Sequence, residues 1–387
     1  IEPSHLFPTL ILLPILGLTD KTLFLSARAE HYLTALVCFC FPASSIAGLK
    51  LVWLSVWLWA ATSKLNHHFP SVVAVMQSNS PLTRVGALRK LFYRSFPDDL
   101  RPSGLTTFMA HAGTVIEYLF PAALAFSRGG TLTMIALGVM LAFHVFITSS
   151  IPMGVPIEWN VIMVYGAFVL FGHHAAVSPL AIESPLLVVY LAFACVLVQV
   201  IGNLFPAHVS FLCSMRYYAG NWAMSVWLFR GDASKKLDTH LTKSAPRVRD
   251  QLLRLYDEDT TVALLSKVQA FRAMHLHGRA LQLLLPETAD DFDAREWWDG
   301  ELVAGVVLGY NFGEGHLHQA QLLAAVQRQC GFEEGELRCL FVESQPVFRP
   351  GIAYAIADAK GGVMKRGEIP VKRLLELQPW PVTAARG

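Results

Sequence analysis

The chain has 387 residues, of which 53% are hydrophobic, with a mean hydropathy of +0.43 and a formal net charge of +2. This composition is too apolar for an ordinary soluble domain, and the small net charge excludes nucleic-acid binding through a bulk basic field. Residues 1–230 contain 12 Lys and Arg and 8 Asp and Glu, whereas residues 231–387 contain 19 and 21. We therefore predict a mainly α fold, with a polytopic transmembrane helical bundle over residues 1–230 and a small soluble α/β or α+β domain over residues 231–387.

The first region contains several apolar segments whose lengths approach the roughly 20 residues needed to cross a bilayer. The first of them, residues 7–18, is long enough for only a partial span. The other predicted spans are 30–47, 48–64, 104–127, 131–150, 157–173 and 184–205.

Two further segments are predicted to lie at the membrane interface rather than across it. Residues 81–103 mix basic and apolar side chains, which is typical of an amphipathic interfacial helix followed by a polar turn. Residues 206–230 are rich in Tyr and Trp, which favours a second interfacial helix.

The distribution of Lys and Arg predicts the orientation of the spans. The connection 64–103 holds six basic residues, whereas the turns 151–156 and 174–183 hold none. Because basic loops stay cytoplasmic, this connection is predicted to be inside. Four spans follow it and return the chain to the same side near Arg216, so the C-terminal domain is predicted to be cytoplasmic.

In the C-terminal domain, leucines at helical spacing predict helices over residues 231–270, and residues 271–281 and 317–329 also read as helical. Short apolar runs predict strands, with a turn at Gly361 and Gly362. The predicted strands are 338–345, 351–358 and 362–371, and residues 281–286 and 301–309 are each predicted to be a strand or a short buried element.

Several histidines of this domain raise the possibility of a metal site, because imidazole and carboxylate groups are common ligands. The candidates are His275, His277, Glu314, His316 and His318. If residues 271–281 are helical, His275 and His277 point to different sides of the helix. Surface and helix-capping histidines are therefore the favoured interpretation, and we predict no metal.

A tryptophan-rich helix that runs into Lys64 is the most informative feature of the chain. Trp53, Trp57, Ala60 and Lys64 lie at offsets 0, 4, 7 and 11, so they share one helical face. A lysine at the end of such a span has two interpretations. It is either an anchor whose ammonium reaches up to the interface or a functional amine.

Two more ionisable residues lie in the middle of predicted spans, Glu117 and His144. Ionisable side chains inside a membrane are costly and rare, so each is a functional hypothesis by default. If both face inward with Lys64, the three could form one site in which the lysine acts as a base. The alternative is that these polar groups only hold the helices together, with His144 as a satisfied core residue.

Three stretches in this order resemble the horizontally transferred transmembrane (HTTM) superfamily, which includes the membrane part of vitamin K-dependent gamma-glutamyl carboxylases. The stretches are residues 60–66 (Ala-Ala-Thr-Ser-Lys-Leu-Asn), 115–121 (Val-Ile-Glu-Tyr-Leu-Phe-Pro) and 142–144 (Ala-Phe-His). The whole arrangement, with residues 210–222, 271–279 and 309–318, resembles more closely a family of uncharacterised bacterial multi-span membrane proteins.

The resemblance implies a catalytic set of Lys64 as the base, with Glu117 and His144 lining the pocket, and a quinone or a lipid as the ligand. Trp57, Asn66 and His111 are the expected ligand-binding residues. The chain has no counterpart of the large lumenal carboxylase domain, which argues against gamma-carboxylation of a protein. The resemblance also implies a bacterial inner (plasma) membrane.

Two functions of different classes therefore remain open. The first is a membrane enzyme acting on a lipid-soluble ligand, with membrane lipids as its surroundings. The second is a non-catalytic accessory or scaffold subunit of a larger membrane assembly, in which aromatic spans pack against other subunits, pigments or lipids. The tryptophans considered for such packing are Trp53, Trp57, Trp59, Trp222 and Trp227.

Overall fold

The computed structural model describes residues 2–19, 24, 28–150, 155–209, 213, 215–243, 246–301, 303–304 and 320–379, except for the side chains of 155, 156, 217, 218, 267–269 and 271. The chain divides into two compact units, Ile1–Gly220 and Asn221–Gly387. The first is called the membrane unit below and the second the C-terminal unit.

The membrane unit is almost entirely helical. Four helices are long and apolar enough to cross a membrane: Pro42–Ser63, Gly104–Phe126, Gly130–Ser150 and Pro185–Leu204. Two shorter apolar helices cover Pro3–Thr19 and Ile157–His173. The helices are α1 (Phe7–Thr19), α2 (Ala29–Phe39), α3 (Ser45–Ser63), α4 (Phe69–Asn79), α5 (Gly86–Lys90), α6 (Gly104–Phe126), α7 (Gly130–Ser150), α8 (Val155–Ala167), α9 (Pro185–Ala192) and α10 (Val198–Leu204).

The span predicted over 30–47 is wrong, because the chain breaks inside it. Helix α2 ends at Phe39, and a short 3₁₀ turn, Pro42–Ser44, leads into α3. Proline has no N–H to donate and disfavours the helical conformation of the residue before it, and Phe41 indeed has non-helical dihedral angles. The break lets α3 start as a separate helix in the core of the unit.

Two helices of the membrane unit contain π-helical segments that pack against α3. Helix α8 continues as a π-helix over Phe168–His173, and Phe193–Leu197 joins α9 to α10. The wider turns change the backbone pairing, and the carbonyl of Cys195 accepts hydrogen bonds from Ser55 Oγ (3.0 Å) and Trp59 Nε1 (2.7 Å). Side chains of α3 therefore complete the hydrogen bonding of its neighbour.

The interfacial helix predicted over 81–103 is largely replaced by a β-hairpin. Helix α5 is only five residues long and is followed by β1 (Tyr93–Ser95) and β2 (Asp99–Pro102), which pair antiparallel. Pro97 and Pro102 cannot continue a helix, and Arg101 pairs with Asp99 at 2.5 Å. The proline and aspartate residues thus make a turn where the mixed pattern indicated a helix.

The C-terminal unit is an α+β structure built on one antiparallel sheet. The sheet order is β4-β3-β5-β6-β7, with every neighbouring pair antiparallel. The strands are β3 (Met224–Phe229), β4 (Glu296–Asp299), β5 (Leu337–Val342), β6 (Gly351–Asp358) and β7 (Gly362–Pro370). The helices are α11 (Lys235–His240), α12 (Val248–Leu253), α13 (Glu258–Ala273), α14 (Leu276–Thr288), α15 (Ala320–Cys330) and α16 (Val371–Glu376).

Two predictions for this part of the chain are wrong. The described residues of 206–230 do not form the predicted interfacial helix: Arg216–Ala219 is a short 3₁₀ turn, and the aromatic end is β3, whose six residues are all buried within the sheet. For residues 281–286 the strand alternative is wrong, because these residues lie inside α14. Short apolar runs do not distinguish buried strands from buried helices. The unit boundary consequently falls at 220, ten residues before the predicted one.

Other predictions for the C-terminal unit agree with the structure. The strand predicted over 351–358 coincides with β6, and Gly362 adopts φ +80° in the turn that leads into β7. Such a left-handed conformation favours glycine because it has no Cβ. Residues 301–309, predicted to be a strand or a short buried element, fall mostly outside the described residues.

Candidate functional site

Helix α3 carries the first residue of the candidate site at its C-terminal end. Its apolar, nearly uncharged sequence continues to Ser63, and Lys64 caps the helix with a backbone N–H that donates to Ala61 and Thr62. Trp57 and Lys64 are seven residues apart and therefore lie on nearly the same face of the helix. That face is buried, with Trp57 only 2% exposed.

Lys64 forms a buried ion pair with Glu117, which lies in the middle of α6. The Lys64 ammonium donates to Glu117 Oε2, and each residue is only 4% exposed. Lys64 Nζ also lies 5.0 Å from the ring centroid of Phe69 and 5.6 Å from that of Phe143. The ammonium therefore points inward, onto a carboxylate and two aromatic rings, rather than up towards water.

The buried Lys64–Glu117 pair carries a free-energy cost that a lysine anchored at the membrane interface does not. Removing two charges from water costs several kcal/mol per ion, and only close pairing and further polar contacts offset this cost. The two aromatic rings contribute about 0.5–2 kcal/mol each through cation–π attraction. A buried pair of this kind contributes little net stability to the fold, since apolar side chains of similar volume often replace such pairs without loss.

His144 lies near the pair in α7, but its ring nitrogens bond elsewhere. Its Nδ1 lies 2.9 Å from the Met140 carbonyl oxygen, and Trp57 Nε1 donates to its Nε2 at 3.3 Å. A carbonyl only accepts and an indole N–H only donates, so the imidazole is neutral with its proton on Nδ1. His144 therefore does not pair directly with Lys64 or Glu117, and its bonding agrees with the alternative of a satisfied core histidine.

The three predicted ligand-binding residues have different positions. Trp57 is buried and held by His144. Asn66 is 6% exposed, and its Nδ2 has no hydrogen-bond acceptor among the described residues. His111 is exposed on the surface of α6 and is not part of the buried site. Asn66 thus supplies a buried N–H donor two residues from Lys64, whereas His111 contributes no group to the buried site.

The tryptophans considered for packing against partners are used within the chain itself. Trp53 Nε1 donates to the Met163 carbonyl (3.3 Å), and Trp59 Nε1 donates to the Cys195 carbonyl. Trp222 and Trp227 belong to the C-terminal unit, where both are buried. Trp53 and Trp59 are half-buried, and their indole N–H groups bond within the membrane unit.

A second buried lysine, Lys50, was missed by the sequence analysis. It is 1% exposed, and its Nζ donates to the carbonyls of His174 (3.0 Å) and Val177 (2.6 Å), beyond the π-helical end of α8. A cation at a helix C-terminus satisfies carbonyls that have no partner within the helix. The sequence contained a signal for the burial of Lys50, because Lys50, Trp57 and Lys64 are spaced by seven residues along one face of α3.

A cavity of about 590 Å³ lies on another side of α3. Its walls are almost wholly apolar and come from α3, α6, α9 and the loop before α9. Tyr118 lines it, and the Tyr118 hydroxyl donates to Thr62 Oγ1 at 2.8 Å. Tyr118 follows Glu117 in α6 and Thr62 lies two residues before Lys64, so this hydrogen bond joins the two helices that carry the ion pair.

The histidines of the C-terminal unit show no metal centre in the part that is described. His277 is fully buried and its Nε2 lies 3.0 Å from the Glu343 carbonyl oxygen, while the His275 ring packs against Trp222. Both are buried, so the expectation of surface histidines is wrong for this pair. Glu314, His316 and His318 lie outside the described residues, and no group of three metal-ligating side chains occurs among the others.

The fold and site together define a polytopic integral membrane protein with an ion pair buried between two of its spans. A family model, described as transmembrane protein of unknown function (DUF3556), matches residues 1–385. The chain belongs to this family. No curated protein and no solved structure shows significant similarity to it.

Proposed function

We propose that this protein is a membrane enzyme that acts on a lipid-soluble substrate, with Lys64 as its base. The observation that carries the proposal is the Lys64–Glu117 pair, buried between α3 and α6 and bordered by aromatic rings. An ionisable pair inside a membrane is costly to retain. A chemical role explains why the site contains charge where apolar packing would serve stability equally well.

The pair can generate a base without water. Transfer of one proton from the Lys64 ammonium to the Glu117 carboxylate leaves a neutral amine beside a neutral carboxylic acid. The amine lone pair then takes a proton from an acidic O–H or C–H group of the substrate. The products of this step are the substrate anion, the Lys64 ammonium and protonated Glu117, so charge and protons balance.

Asn66 and His144 have supporting roles in this scheme. The buried Asn66 Nδ2 provides an N–H that can donate to the anion as it forms, and such preorganised donors favour the transition state. His144 holds the indole of Trp57 in place through its Nε2. It therefore positions the wall of the site and does not transfer the proton.

The apolar cavity beside α3 supports a lipid-soluble ligand of the membrane unit, and its lining comes partly from α3 and α6 but includes neither Lys64 nor Glu117. Its volume of about 590 Å³ lies within the usual range for small-molecule sites, and its lining suits a hydrocarbon chain. The resemblance to the HTTM superfamily agrees with this chemistry and extends the proposal to a quinone or lipid substrate. A non-catalytic subunit is the alternative, and the hydrogen bonds of Trp53 and Trp59 to carbonyls within the chain argue against packing by these two tryptophans on a partner.

We also propose a bacterial inner-membrane location with the C-terminal unit in the cytoplasm. The basic side chains before α6 support this orientation. Arg216, however, does not contribute to the charge signal, because it is fully buried and its guanidinium binds the carbonyls of Gly202, Pro206 and Val209.

Comparative lipid mass spectrometry tests the enzyme proposal. Membranes that contain the native protein are compared with membranes that contain the double variant Lys64→Met/Glu117→Leu, which removes both charges and keeps the volume. We expect one lipid-soluble molecule to accumulate with the variant and its product to disappear. Identical lipid profiles, with the variant folded and present at the native level, would refute the proposal that the protein is an enzyme.

A further inference from the structure

We propose that residues 81–102 form a platform that binds the surface of an anionic lipid bilayer. The platform consists of the 3₁₀ turn Pro81–Thr83, helix α5 and the β1–β2 hairpin. It stands directly before the candidate span α6. It does not depend on a catalytic role for Lys64, because none of its residues belongs to that site.

Hydrogen bonds hold the platform to the first turn of α6. The Ser103 hydroxyl accepts from the Thr106 N–H (3.2 Å) and donates to the Leu91 carbonyl (2.7 Å). Thr106 Oγ1 donates to the Phe92 carbonyl (2.7 Å). Because α6 is long and apolar enough to cross a membrane, these bonds fix the platform at the level where the span enters the bilayer.

Four aliphatic side chains of the platform, called the apolar stripe below, are exposed. They recur at every third residue from the 3₁₀ turn, through α5, to the residue that follows it. Their exposed fractions are 79% for Leu82, 60% for Val85, 43% for Leu88 and 54% for Leu91. Several exposed aliphatic side chains in one short segment are unfavourable in water, whereas the boundary between headgroups and acyl chains accommodates them.

Basic side chains flank this stripe. Arg84, Lys90 and Arg94 are exposed, and within the described part of the chain they form no ion pair. By contrast, Arg101 is neutralised by Asp99, and Arg89 Nε donates to the Thr83 carbonyl (2.7 Å). Three available cations beside an apolar stripe match the phosphate groups of anionic lipids, with the aliphatic side chains entering the layer below them.

A bilayer fits these observations better than a protein partner. The available charge is of one sign, apart from exposed Asp98, and the segment is rigidly joined to a span that already places it beside lipid. Each basic side chain near an anionic surface strengthens binding about fivefold. Three such side chains therefore give a preference for anionic over zwitterionic lipid of on the order of a hundredfold at low salt.

Native mass spectrometry of the full-length protein in a neutral detergent tests the platform. Phosphatidylglycerol and phosphatidylcholine are added in turn, and the bound lipid is measured for the native protein and for Arg84→Gln/Lys90→Gln/Arg94→Gln. We expect the variant to lose most of the preference for phosphatidylglycerol. The control, Arg349→Gln/Arg366→Gln/Lys372→Gln, removes equal charge from the C-terminal unit and should keep it. An unchanged preference in the platform variant would overturn the proposal.

Photocrosslinking in phosphatidylglycerol vesicles provides a second test that does not depend on charge. Benzoylphenylalanine replaces Leu91, and the crosslinked product is identified after irradiation. The proposal expects an adduct with a phospholipid. An adduct with a second copy of the chain or with another protein would show that the stripe is a protein interface and would overturn the proposal.

Discussion

Lys50 and Lys64 lie on the same face of one helix, and both are buried, but they have different partners. Lys50 donates to two backbone carbonyls, which cannot accept its proton, whereas Lys64 donates to the carboxylate of Glu117, which can. The first arrangement completes the hydrogen bonding of a helix end. The second stores an exchangeable proton. The partner, rather than burial alone, separates a structural lysine from a chemical one.

The largest effect is expected when one member of the ion pair is removed. Glu117→Leu leaves the Lys64 ammonium buried without its carboxylate, and this should destabilise the protein by about 3–5 kcal/mol. The double variant Lys64→Met/Glu117→Leu should recover most of this loss, since no charge remains buried. Thermal unfolding in mild detergent measures both. A double variant as unstable as Glu117→Leu would show that the pair contributes mainly to stability.

A smaller loss is expected at the other lysine. Lys50→Met leaves the carbonyls of His174 and Val177 without their donor, which should cost about 1–3 kcal/mol. The same unfolding experiment measures the loss. Lipid profiles of the correctly folded protein should stay native, because no chemistry is assigned to Lys50. A changed lipid profile at native stability would remove the distinction between the two lysines.

The hydrogen bond between Trp57 and His144 is expected to contribute less again. Trp57→Phe removes the indole N–H and should cost about 1 kcal/mol. It also frees His144 Nε2, so ¹⁵N NMR of labelled histidine should show a changed Nε2 resonance with the proton still on Nδ1. If the Nε2 resonance does not change, the assigned tautomer and its donor are wrong.

The smallest effect is expected for an ion pair at a water-exposed surface of the C-terminal unit. Lys236 donates to Glu336 at 2.5 Å, and this hydrogen bond, with further backbone bonding, holds the pKa of Glu336 below its ordinary value. Because the pKa of Glu336 is lower in the folded protein, the pair stabilises the fold at pH values above about 4.3, the pKa of an unfolded Glu. This stabilisation is lost as the pH falls through the lowered pKa of the folded state.

The comparison variant for this surface pair is Glu336→Gln. Exposed pairs contribute at most about 1 kcal/mol, so acidification from pH 6 to pH 3 should lower the native Tm by only about 1–2 °C more than that of the variant. Identical shifts in the two proteins would show that the pair contributes nothing. The loss of stability in Glu336→Gln is then compared with the loss in Glu117→Leu. The difference measures how much more a buried charge in the membrane unit depends on its partner than a surface charge does.

The sequence alone was sufficient to find the candidate site but not its internal bonding. Charges inside apolar spans are conspicuous, so Lys64 and Glu117 stood out without a structure. The direction of the His144 ring was not accessible, because it depends on Trp57, which lies on a different helix. Lys50 was overlooked because a lysine near the start of a span reads as an ordinary boundary residue.

The sequence predicted the fold correctly where the apolar pattern was long, and the prediction failed where the pattern was short. The long spans α6 and α7 were predicted to within a residue or so, since each is predominantly apolar over more than twenty residues. The segment before α6 was misread because Pro97 converts an amphipathic pattern into a hairpin. Strand β3 was misread because a strand buried within a sheet shows no alternation of apolar and polar residues.

The most direct test of a base at Lys64 is turnover per folded molecule, measured with the lipid that accumulates in membranes of the Lys64→Met/Glu117→Leu variant. Purified native protein, the double variant and Lys50→Met are compared in the same detergent, each normalised to its folded fraction. The account predicts native turnover for Lys50→Met and none for the double variant. Native turnover by the folded double variant would contradict it.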